Sequence, residues 1–154
     1  MSQGYYLSHV EGEVGNIQYD VTSNLIKISY IPGSTENFIH EVTHAGQFET
    51  GDIAFSLNSG KALAQDIYDE VAAYEAETYY SGGNSAKITD RYVQNIRDPR
   101  TGELMYTLSS ANTSQIPISI RTPYWVVRKA YLNECILDKR PFYKVSAMHY
   151  KKPL

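Results

Sequence analysis

The stretch "FIHEVTHAGQFETGD", residues 38–52, holds two histidines four positions apart with a glutamate directly after the first. In a helix, residues i and i+4 differ by about 40° in direction and about 6 Å in height, so His40 and His44 can aim both imidazoles at one ion. Glu41 falls on the adjoining side, near such an ion without binding it. A catalytic zinc keeps three protein ligands and leaves a fourth position to water, whose pKa falls to about 7. HEVTH therefore supplies two ligands and a base, and the third ligand has to come from elsewhere. With 4 histidines among 154 residues the pattern arises by chance on the order of 0.01 times. In that case it is the polar face of an ordinary helix.

Two carboxylates compete for the third position. Glu70 stands in "DIYDEVAAYEAE", three residues after Ile67 and next to Val71, on the inward edge of a helical pattern. A bare carboxylate there is costly unless a cation compensates it. Asp66 and Glu77 border the same face, whereas Glu75 points outward with Ala72 and Tyr79. The other candidate is Asp52 in "TGDIAF", soon after the histidines. Helical spacing favours Glu70 and leaves Asp52 as the alternative; both can equally be solvated or capping carboxylates.

The elements that must position these groups follow from pattern. "NIQYDVTSNLIKISYIPG" alternates and is rich in Ile, Val and Tyr, so it predicts a hairpin or two short strands turning at Ser23-Asn24 and ending at Pro32-Gly33. Residues 34–51 read as a helix with Ser34 or Thr35 as N-cap, Glu36 in its first turn, Gly51 as its stop and an apolar stripe of Phe38, Ile39, Val42 and Ala45. Residues 61–80 predict a second helix, with Leu63, Ile67, Val71 and Tyr74 at helical spacing and "SGG" after it. Small residues at Ala72, Ala73 and Ala76 let it lie close to the HEVTH helix. A short helix is expected over residues 88–96, and a last one in "PYWVVRKAYLNECIL" with Thr122 as N-cap and Pro123 at its first position. The expected fold is one α+β domain spanning residues 1–154, mostly helical, with a small N-terminal sheet or hairpin.

Composition narrows the function classes. At 42% hydrophobic and 20% charged the chain reads as globular. Its net charge of −3, with Lys and Arg scattered, lacks the footprint of a nucleic-acid binder. No run has the length of a transmembrane helix, and "MSQGYYLSHVEGEV" has neither the basic nor the apolar region of an export signal, so neither a membrane nor Sec export is expected. The lone Cys135 reads as a small buried hydrophobe and His9 as a surface or core residue. The 14 tyrosines suit either contact surface or core.

"FIHEVTHAGQ", followed by "DEVAAYEAE", resembles the zincin metallopeptidases, and is most similar to the small HExxH domains at the C-termini of bacterial Rhs-type and other polymorphic toxins. The similarity covers residues 36–80, about a third of the chain. The metzincin pattern needs a glycine and a third histidine where this chain has Gln47 and Thr50; Asp52 resembles the aspzincin position and Glu70 the gluzincin one. Carried over by position, the gluzincin resemblance implies His40, His44 and Glu70 as zinc ligands and Glu41 as general base. It places the strand "NLIKISYI" where zincins hold an extended substrate at a sheet edge. One departure stands out: gluzincins orient a histidine with an Asp four residues after the ligand Glu, and this chain has Tyr74 there. For the oxyanion donor that zincins often draw from Tyr or His, Tyr143, His149 and Tyr150 are the candidates.

The expectation is a zinc-dependent metallopeptidase acting on a protein or peptide substrate. The resemblance adds a cytoplasmic or signal-independently delivered effector with a cognate immunity protein. The rival readings are a catalytically inactive zincin-like binding module, against which the retention of Glu41 argues, and an interaction domain that holds no metal.

Overall fold

Alternation in "NIQYD" and "LIKISY" builds the first sheet. The computed structural model describes residues 3–11, 14–63, 65–106, 136–137 and 139. Strands β2 (Asn16–Asp20) and β3 (Leu25–Tyr30) pair antiparallel, with Ile17 opposite Ile28 and Tyr19 opposite Ile26. These four side chains turn to one buried face, as period-2 patterning requires. In the connecting turn Asp20 Oδ1 accepts from the backbone N–H of Thr22, and Asn24 takes φ 58, a left-handed conformation that Asn tolerates. The predicted hairpin is thus present.

A further strand, β1 (Gly4–His9), lies parallel to β3 on its other side, giving the order β1-β3-β2. Its pattern does not announce it, because its residues alternate between half-buried and exposed instead of filling the core. It moves β3, expected at the sheet edge, to the middle; the edges are β1 and β2.

Helix α1 (Thr35–Thr50) starts where Ser34 accepts from the Asn37 N–H at 3.2 Å and stops at Gly51, whose φ of 81 suits glycine. Its inward face carries His40, Glu41, His44, Ala45, Gln47 and Phe48. Phe48 joins Ile17, Tyr19, Ile26, Ile28, Ile53 and Phe55 in the core. Helix α2 (Ile67–Tyr80) begins later than the periodicity suggested. The cause is a buried capping box: Asp66 Oδ1 accepts from Asp69 N–H at 3.3 Å while Asp69 Oδ2 accepts from Asp66 N–H at 2.8 Å. Ahead of it Ala62 and Leu63 form strand β5, antiparallel to β4 (Ala54–Ser56).

Helices α1 and α2 pack together over the fully buried Ala73. A 3₁₀ turn (Ser85–Lys87) follows, and then the short α3 (Asp90–Gln94), within the segment expected to be helical. Strand β6 (Ile136–Leu137) then pairs antiparallel with β4, completing the order β5-β4-β6. The sequence pattern ran its last helix through these two residues; the pairing with Phe55 and Ser56 makes them strand instead. The rest of that expected helix, with Cys135, lies outside the described residues. The fold is mixed α+β with two small sheets and three α-helices among the described residues. Within them no helix is long and apolar enough to cross a membrane.

Candidate metal centre

The spacing of His40 and His44 on α1 sets their rings 4.9 Å apart, centroid to centroid, at 77°. Facing them, α2 brings Glu70 into its first turn. His40 Nε2 lies 3.3 Å from Glu70 Oε2, and His44 Nε2 lies 3.4 Å from Glu70 Oε1. The three residues are all buried, and each offers a ligand atom within 4.8 Å of the others. A tetrahedral ion with bonds of zinc length sets neighbouring ligand atoms about 3.4 Å apart.

Glu70 Oε2 is buried and makes no hydrogen bond, despite the ring nitrogen at 3.3 Å. An ionised oxygen without a donor is expensive in such surroundings. The other oxygen accepts from Gln65 Nε2 at 2.5 Å. Two imidazole nitrogens and a carboxylate oxygen this close together suit a divalent cation of intermediate softness. These residues can therefore hold a metal ion.

The far sides of both rings are occupied. His44 Nδ1 lies 2.7 Å from Gln47 Oε1, and Gln47 Nε2 donates to the Asp69 carbonyl at 2.9 Å, tying the ring to α2. His40 Nδ1 lies 3.3 Å from Glu77 Oε2. Tyr74, the residue that departs from the gluzincin pattern, packs edge-on against His40 at 4.5 Å and 72°. Its hydroxyl pairs with that of Tyr106 at 2.9 Å.

The metal-free site is strongly coupled. Burial disfavours a charged His40, but the carboxylates of Glu70 and Glu77 outweigh it and hold the ring up at about 10. His44 is likewise raised against burial, chiefly by Glu70. Burial also opposes ionisation of Glu70, yet His40 and His44 hold it well below the usual carboxylate range. Glu41 is pushed up to about 7, by burial first, with His40 and His44 pulling it back and Glu70 and Glu77 adding to the rise. A carboxylate poised near neutrality suits general base work. Burial pushes Tyr74 up to about 12 and raises Tyr106 further, with Glu70 contributing to both, so both stay protonated donors.

These groups share a cleft of about 440 Å³ that also reaches the start of β2 at Gly15 and Ile17. A side chain at position 15 has no room, since a Cβ there would lie 2.7 Å from Glu41 Oε1 and 2.7 Å from Asn37 Oδ1.

Of the residues expected from sequence, His40, Glu41, His44 and Glu70 come together in this cleft. Asp52 does not join the metal group: it follows the left-handed Gly51 at the end of α1, is exposed, and accepts from Thr50 Oγ1 at 2.8 Å. His9 is on the surface, paired with the Tyr30 hydroxyl at 2.7 Å. Tyr143, His149 and Tyr150 lie outside the described residues. Sequence reasoning missed Gln65, just ahead of the α2 N-cap, and Tyr106, which arrives from a separate segment. It noted Glu77 without a role, although its spacing of two helical turns from Glu70 was a usable signal. Comparison of the chain with protein-family models, with curated proteins and with solved structures finds no match.

Proposed function

We propose that the chain is a zinc-dependent metallopeptidase, with His40, His44 and Glu70 holding the ion and Glu41 acting as general base. The observation that carries the reading is the pairing of a buried His-His-Glu group, one of its oxygens without a donor, with the buried Glu41 carboxylate in the same cleft. When bound, zinc supplies a Lewis acid for the scissile carbonyl and acidifies a water to a pKa of about 7. Glu41 takes the proton of the attacking water and passes it to the departing amine. Tyr74 and Tyr106 are the protonated hydroxyls available to the carbonyl oxygen as it gains charge.

An extended substrate suits the edge of β2. Tyr19 N–H leaves the sheet to bond Gly60 O at 2.8 Å, and Ile17, two residues earlier and beside the cleft, turns its backbone groups to the same side. At Ile17, beside the cleft, that side would receive a peptide main chain by strand addition, Gly60 already taking it at Tyr19. This replaces β3 as the expected substrate edge. The resemblance of the HEVTH and DEVAAYEAE segments to polymorphic-toxin domains extends the proposal to a delivered bacterial effector checked by an immunity protein.

The test is Glu41→Gln, which keeps size and most hydrogen bonding but removes the base. Zinc binding and circular dichroism should persist while cleavage of a denatured protein mixture falls by about 10² to 10⁴ or more. Full activity in this variant with none in His40→Ala would mean that the mechanism is not a zincin's.

A further inference from the structure

The two histidines are held from behind in different ways. His44 is braced within its own helix by Gln47 at 2.7 Å, which is anchored in turn on the Asp69 carbonyl. His40 has no such brace on α1. Its Nδ1 instead faces Glu77 Oε2 at 3.3 Å, across the helix interface. Glu77 is seven residues, about two turns, after Glu70, so both carboxylates project from one face of α2. One meets Nε2 of His40 and the other meets Nδ1. Between them in the chain stands Tyr74, whose ring closes over the imidazole.

We infer that Glu77 is the positioning residue for His40. Its carboxylate, 3.3 Å from Nδ1, is the acceptor to which Nδ1–H would donate, and that fixes the tautomer whose Nε2 lone pair faces the ion. An imidazole free to turn or to exchange tautomers presents that lone pair only part of the time, and an acceptor at the opposite nitrogen removes this loss while making the ring a stronger donor to metal. Tyr74 at the fourth residue after Glu70 is then compatible with a complete site, because the orienting acceptor comes one turn later.

This inference rests on the metal-binding reading, and zinc affinity separates the two. Dissociation constants would be measured by competition with a chromophoric chelator for the wild type, Glu77→Ala, Glu77→Gln and, as a control, the exposed Glu75→Ala, with cobalt absorption spectra reporting the ligand field. The expected result is a loss of about 10–100-fold in Glu77→Ala at unchanged one-to-one stoichiometry, partial recovery in Glu77→Gln, which keeps an acceptor oxygen, and no change in Glu75→Ala. Unchanged far-UV circular dichroism of Glu77→Gln secures the comparison if Glu77→Ala folds poorly. Wild-type affinity in Glu77→Ala overturns the inference while leaving the metal site intact. Equal weakness of the Gln and Ala variants makes the effect one of charge alone and overturns it as well, and loss of stoichiometric binding with an altered cobalt spectrum makes Glu77 a ligand instead. A wild type that takes up no metal removes the metal-binding reading itself.

Discussion

His40 and Glu70 face each other across the α1–α2 interface at 3.3 Å, nitrogen to oxygen, and yet that oxygen accepts no hydrogen bond. At this separation the two atoms match the spacing of neighbouring ligand atoms about a tetrahedral ion.

The identity of the third ligand is the first consequence. Removing a ligand weakens metal binding far more than removing a surface carboxylate. Glu70→Ala should lose zinc and Asp52→Ala should keep it, as read by elemental analysis after dialysis. Retention in Glu70→Ala with loss in Asp52→Ala would move the centre to the C-terminal end of α1.

Proton competition gives the second. Without an ion bound, His40 is held up at about 10, so it is protonated at pH 7; His44 is raised as well, chiefly by Glu70. Zinc needs both neutral, so binding should release at least the His40 proton and tighten about 10-fold or more per pH unit between pH 6 and 8. Calorimetry in two buffers of different ionisation enthalpy counts the protons. The same shift predicts that the His40 contribution to the stability of the metal-free protein is fully present below its ordinary value of 6.5 and fades as pH rises through about 10. A pH-independent affinity with no proton release would contradict both statements.

How much of this was legible in the chain depends on the range of the signal. The hairpin, the bounds of α1 and the grouping of His40, Glu41, His44 and Glu70 follow from local spacing; the apolar stripe expected on α1 does not hold, since Val42 is exposed and Phe38 and Ile39 are half-buried while Phe48 enters the core. The start of α2 did not, because Asp66 and Asp69 cap one another and cut off Ala62 and Leu63, which pair with β4. Strand β1 was hidden by its shallow burial, and β6 by a helical pattern that a distant partner strand overrode. Tyr106 reaches Tyr74 through a tertiary contact that no spacing encodes, and Gln65 reaches Glu70 only because α2 starts after it, at Ile67, and not at residue 61.

Gly15 offers a third prediction, separating the base from the ligands. Because a Cβ there would press on Glu41 and Asn37, Gly15→Ala should displace the base while leaving His40, His44 and Glu70 in place. Zinc affinity should hold within about threefold, while the rate of cleavage falls by about 10-fold or more. Gly46→Ala, where a Cβ meets nothing within 4 Å, is the control. Equal rates in the two variants would show that Glu41 does not depend on that wall.

A fourth concerns the scaffold. The capping box of Asp66 and Asp69 is buried, so Asp66→Ala should cost about 1–2 kcal/mol in urea unfolding. It should also weaken zinc modestly, since Glu70 lies in the first turn that the box secures. An unchanged midpoint would mean that the box does not hold α2 in place.

The account stands most directly on the metal content of the wild-type chain. Protein purified without a histidine tag, supplied with zinc and then dialysed, is to be measured by elemental analysis. The account predicts about one zinc per chain, and a value well below half would contradict it, leaving His40, His44 and Glu70 as a buried ion-pair network.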